Sequence, residues 1–67
     1  MKDFKEFIAL WNDAEDLKKS AAQRAYDEIE RITEEEGEEP SDAVMALTYS
    51  HEMTITMLQA YHLWNNL

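Results

Sequence analysis

The 67-residue sequence has no cysteine, one glycine and one proline. The absence of cysteine excludes disulfide bonds and thiolate metal sites. Because glycine and proline mark tight turns, their scarcity argues against a sheet with several hairpins and favours an all-α chain. A chain this short forms at best a marginal core. We therefore expect a single helical domain over residues 1–67 that is completed by self-association or by a partner.

Long apolar runs and excess positive charge are also missing. Charged residues interrupt the apolar ones in the N-terminal stretch, unlike in a signal peptide, and no window approaches the roughly 18 apolar residues of a membrane span. We therefore expect a soluble, cytoplasmic protein that does not bind membranes. Six basic and 15 acidic residues give a formal net charge of −9. This charge disfavours direct contact with nucleic acid and favours a basic protein partner.

Most of the negative charge lies in residues 27–42, which we call the acidic segment. It contains nine carboxylates and a single basic residue, Arg31. Residues 1–26 have five acidic and five basic side chains, and residues 43–67 add only Glu52. Carboxylates in rows resemble the phosphates of a nucleic-acid strand and attract basic grooves. The alternative is an ordinary solubilising turn.

Hydrophobic spacing predicts an antiparallel helical hairpin. Apolar residues, including Ala21 and Ala25, stay in phase from Phe4 to Ile32, with Glu15 and Lys18 as the main charged interruptions. This phase indicates one long or gently kinked helix over about residues 3–35. The alternative is a three-helix chain with a break near Asn12, where Asn12 and Glu15 form a weak variant of the capping box.

Turn residues predict where the hairpin reverses. Gly37 is placed as a helix C-cap, and Pro40 follows shortly beyond it. Ser41 or Asp42 then caps a last helix over about residues 42–66.

The last helix is predicted to be apolar on more than one side. Its core face consists of Ala43, Ala46, Leu47, Ser50, Met53, Thr54, Met57, Ala60, Tyr61 and Trp64. Val44, Met45, Ile55 and Leu63 lie on the opposite side, among polar residues that include Glu52 and Thr56. Such a helix needs more than one neighbour. The chain also has more aromatic residues than an isolated hairpin can bury. We therefore expect a homodimer that forms a four-helix bundle.

No motif predicts catalysis, a metal or a cofactor. His51 and His62 are about 16 Å apart along a continuous helix, too far to share an ion. The His51-Glu52 pair lacks the second histidine of a zinc-protease helix because position 55 is Ile. No Glu or Asp has His three residues later, as a di-iron bundle requires. We therefore expect that the protein is not an enzyme.

The preferred hypothesis is a non-enzymatic protein–protein interaction module. Its most concrete form is a small acidic inhibitor that mimics nucleic acid and occupies a basic groove of a nucleic-acid-binding protein. In size and charge the chain is similar to phage-encoded inhibitors of host restriction, CRISPR and transcription machinery, with no shared motif. The predicted partner-binding carboxylates are Asp27, Glu30, Glu34, Glu35, Glu38 and Glu39.

A second hypothesis is a homo-oligomeric structural or assembly adaptor. In this case the apolar far side of the last helix binds the partner. The candidate residues are Met45, Tyr49, Ile55 and Leu63.

Overall fold

The computed structural model describes residues 2–67, which are 83% helical and contain no strand. The helices are α1 (Phe4–Asn12), α2 (Glu15–Glu36) and α3 (Asp42–Asn65). The predicted all-α class is confirmed. The prediction of a single long first helix is wrong, and the three-helix alternative is correct.

Asp13 and Ala14 separate α1 from α2. Ala14 leaves the helical region at φ −83° and ψ 65°, and its amide donates to the carbonyl of Trp11 at 3.0 Å in a tight turn. Asn12 does not cap α2 as predicted, because it is the last residue of α1 and Ala14 holds the N-cap position. The carbonyl of Asn12 instead accepts a hydrogen bond from Lys18 Nζ at 2.8 Å. Lys18 therefore ties the start of α2 to the end of α1.

The reversal between α2 and α3 is formed by the predicted capping residues. Gly37 has φ 77°, a left-handed conformation that suits glycine, and its amide donates to the Thr33 carbonyl at 2.9 Å. Ser41 is the N-cap of α3, where its hydroxyl accepts from the Val44 amide at 3.3 Å. These two caps confirm the predicted positions of the turn.

Four side chains are buried among residues 2–67, and they are Phe7, Ala21, Ala25 and Thr56. Phe7 lies in an aromatic cluster that joins α1 to the end of α3. Its ring centroid is 5.2 Å from that of Tyr61 and 5.6 Å from that of Trp64. The small Ala21 and Ala25 lie on the face of α2 that was predicted to be apolar.

The predicted core face of α3 is only partly correct. Met53, Met57, Ala60, Tyr61 and Trp64 are half-buried, whereas Ala43, Ala46, Leu47, Ser50 and Thr54 are exposed. Thr56 and Glu52, which were predicted to lie on the far side, face α2 instead. Arg24 of α2 donates to both side chains, with an Nε to Glu52 Oε2 distance of 3.4 Å. Polar pairing therefore places these two residues between the helices, where hydrophobic periodicity does not assign them.

The molecule is elongated, with extents of 49 × 18 × 17 Å. The aromatic cluster lies at one end, which we call the aromatic end. The connection between α2 and α3 lies at the other, which we call the acidic end. In the described part of the chain, no helix has both the length and the apolar character needed to cross a membrane.

Candidate functional site

The acidic segment occupies the second half of α2, the connection at residues 37–41 and the first residue of α3. All six carboxylates predicted to bind a partner are exposed. Asp27, Glu30 and Glu34 recur at spacings of three and four residues, so they form one stripe along α2. Glu38 and Glu39 continue the negative charge beyond the end of the helix. The predicted carboxylates thus lie along the half of α2 that is nearer the acidic end and in the connection beyond it.

Arg31 neutralises part of this charge. Its guanidinium pairs with Glu28, and its Nη1 lies 2.7 Å from Glu35 Oε1. The hydrogen bond from Arg31 lowers the pKa of Glu28, and the two carboxylates together raise the pKa of Arg31. Asp27 accepts a hydrogen bond from Gln23 Nε2 at 3.0 Å.

The remaining acidic side chains carry uncompensated charge. Over residues 2–67, no basic side chain pairs with Glu30, Glu34, Glu38 or Glu39. Residues 34–36 are three consecutive glutamates in the last turn of α2, where negative charge opposes the helix dipole. The cluster therefore lowers the stability of the helix end. A basic partner would compensate for that cost on binding.

The four residues predicted for the adaptor hypothesis do not form one surface. Met45 and Tyr49 line a groove of about 240 Å³ against α2, near the acidic end. Leu63 lines a different groove, which it shares with Leu17 of α2. Ile55 is 36% exposed and lines neither of these grooves. Met45 and Tyr49 are therefore nearer the acidic end and Leu63 is nearer the aromatic end, with Ile55 between them along α3.

The structure has another apolar surface that was not predicted from the sequence. It consists of four exposed leucines, which we call the leucine patch: Leu10, Leu17, Leu63 and Leu67. Leu10 and Leu17 line an apolar cleft of about 170 Å³ beside Trp64. Leu17, Leu63 and Leu67 line an adjoining groove of about 480 Å³, which is also bordered by Trp64. Because all three helices contribute, no single helical periodicity could have predicted this surface.

The histidines show no metal-binding arrangement. His51 lines an open groove with Glu28 and Glu52 at the junction of α2 and α3. Among the residues whose placement is described, no group of three or more histidine, aspartate or glutamate side chains could hold a metal ion. The features that stand out are therefore two surfaces, one acidic and one apolar. Comparisons of the chain with protein-family models, curated proteins and solved structures find no match.

Proposed function

We propose that this chain is a non-enzymatic protein–protein interaction module whose acidic segment binds a basic surface of a partner protein. This proposal rests on six exposed carboxylates that lie along the second half of α2 and in the connection beyond it: Asp27, Glu30, Glu34, Glu35, Glu38 and Glu39. A surface with this charge attracts basic grooves and repels nucleic acid.

The density of charge along α2 favours a partner that normally binds nucleic acid. Residues 27–36 contain six carboxylates within about 15 Å of helix axis. One DNA strand carries a phosphate about every 3.4 Å of duplex axis. The helix therefore presents negative charge at least as densely as a single strand, apart from the neutralisation by Arg31. A groove lined with Lys and Arg would bind both.

The concrete form of the proposal is an inhibitor that occupies the nucleic-acid groove of its target. Resemblance in size and charge to phage inhibitors of host defence and transcription supports this form. The inhibitor would act in the cell that produces it or in the host cell. Binding that depends on charge weakens steeply as salt rises, because counterions compete for the basic groove.

The test uses two variants that remove the same number of charges. The first carries Glu34→Gln, Glu35→Gln, Glu38→Gln and Glu39→Gln, and the matched control carries Glu6→Gln, Asp13→Asn, Glu15→Gln and Asp16→Asn. All eight residues are exposed. We expect the first variant to lose capture of nucleic-acid-binding proteins from a cell lysate while its helicity by circular dichroism is unchanged. The control should retain capture, and equal capture by both variants would contradict the proposal.

We also propose that the chain is a homodimer in which α2 and α3 of two copies form a four-helix bundle. Support comes from the large apolar side chains that the single chain leaves exposed. Leu17 of α2 and Leu63 of α3 are 44% and 68% exposed. Such exposure is costly in water unless another chain covers it.

The same exposure favours the second candidate function, an assembly adaptor that recognises its partner through apolar residues of α3. Under that function, Ile55→Asp or Leu63→Asp would break the assembly. The acidic-segment variant would then assemble normally at every salt concentration, which separates this function from the inhibitor.

A further inference from the structure

The single chain exposes more surface than its mass requires. Its accessible surface is 5261 Å² for 7.9 kDa, whereas a compact monomer of that mass exposes about 4,400 Å². The excess is about 850 Å², close to the roughly 800 Å² that each partner contributes to a standard protein interface. The area left exposed is thus enough for one interface of ordinary size.

The leucine patch is suited to that interface because it combines exposed apolar side chains with concave surfaces. Leu63 and Leu67 are 68% and 91% exposed, and Leu10 and Leu17 are 56% and 44% exposed. The four side chains border two adjoining concave surfaces that share Leu17, Ala60 and Trp64. A leucine from a facing chain could enter these concave surfaces, since an apolar side chain packs best in a depression of similar chemistry.

The charge distribution favours a second copy of this chain as the occupant. Residues 1–26 have balanced charge, whereas the acidic segment carries nine carboxylates and one arginine. Pairing through the acidic ends would bring both acidic segments together. In pairing through the patch, the acidic segment of each copy begins about 15 Å along the α2 axis from Leu17. This distance exceeds the Debye length of roughly 8 Å at physiological salt.

We propose that two copies of this chain pair through the leucine patch about a two-fold axis. Such an interface uses the same patch on both copies. Each contact between two different residues therefore occurs twice, once on each side of the axis. The groove between α2 and α3 of one copy then faces the same groove of the other. The α2 and α3 helices of the two copies pack together, and the acidic segments point outward. This proposal rests on the homodimer proposed above and names its surface.

The test compares two double variants by light scattering of the full chain across a concentration series. One carries Leu10→Gln and Leu63→Gln in the patch. The control carries Leu47→Gln and Leu58→Gln, whose exposures of 69% and 57% match those of Leu63 and Leu10. Neither variant changes the net charge. All four leucines are more than half exposed in the single chain, so folding by circular dichroism should survive.

We expect the wild-type chain and the control to be dimers, and the patch variant to dissociate with a dissociation constant raised roughly 100-fold or more, because four apolar contacts are lost per dimer. A dimer that persists in the patch variant would overturn the proposed surface and leave the homodimer intact. A wild-type monomer, or an assembly larger than a dimer, would overturn both. None of these outcomes bears on binding by the acidic segment, which has its own variants.

Discussion

Phe7 is the buried residue of α1. It is 3% exposed and packs against Tyr61 and Trp64. Phe7→Ala should lower the free energy of unfolding by about 3–5 kcal/mol. A chain of this length has only about 3–10 kcal/mol in total, so the variant should lose about a third or more of its stability, as measured by urea unfolding.

Phe4 provides the matched control within the same helix. Its ring also contacts Tyr61, with centroids 5.4 Å apart, but the residue is 51% exposed. Phe4→Ala should therefore cost much less than Phe7→Ala in urea unfolding. A larger loss for Phe4→Ala would show that α1 packs on α3 in a different orientation.

Individual residues were predictable from the sequence where packing alone decides their position. Ala21 and Ala25 were placed on the apolar face and are fully buried. Thr56 and Glu52 were placed on the wrong side because hydrophobic periodicity treats polar residues as exposed. Their position depends on Arg24, which lies 32 residues from Thr56 and 28 from Glu52 in the chain. No local pattern contains that information.

At the scale of the helices, Gly37 decides where α2 ends. Its φ of 77° is favourable for glycine, and a Cβ at this position would have no atom within 4 Å. Gly37→Ala should therefore cost about 1 kcal/mol through backbone conformation alone. Urea unfolding measures the difference.

A chemically synthesised chain with D-alanine at position 37 is the control, because a D residue prefers positive φ. It should be at least as stable as the wild type, since the added methyl also restricts the unfolded chain. Equal destabilisation by L-alanine and D-alanine would mean that the left-handed turn is not what ends α2.

The ends of the helices were predictable to different degrees. Gly37 and Ser41 are strong local signals, and both caps are where the sequence predicts them. The break at residues 13–14 contains neither glycine nor proline, so the phase of the apolar residues could not exclude a continuous helix. Lys18 stabilises the break from the α2 side through the Asn12 carbonyl, and its Nζ lies 5.8 Å from the centroid of the Trp11 ring. The local signs of a break were the charged Glu15 and Lys18 on the apolar face and the weak capping pair of Asn12 and Glu15.

At the scale of the whole molecule, charge and apolar surface are segregated. The acidic segment lies at the end where the chain reverses, and the leucine patch lies near the aromatic end. The sequence alone shows the first surface, because its carboxylates are contiguous. It does not show the second, because Leu10, Leu17 and Leu63 come together only once the break reorients α1 and α3 packs beside α2. The surface proposed for pairing and the surface proposed for a basic partner are therefore separate.

Competition with nucleic acid would show whether the acidic segment occupies the nucleic-acid groove of a partner. The measurement is the affinity of this chain for a captured nucleic-acid-binding partner, titrated with duplex DNA at fixed low salt. If the acidic segment occupies the nucleic-acid groove, DNA should displace the chain completely, and the apparent dissociation constant should rise in proportion to the DNA added. A ternary complex of partner, DNA and this chain, with an unchanged dissociation constant, would contradict the account.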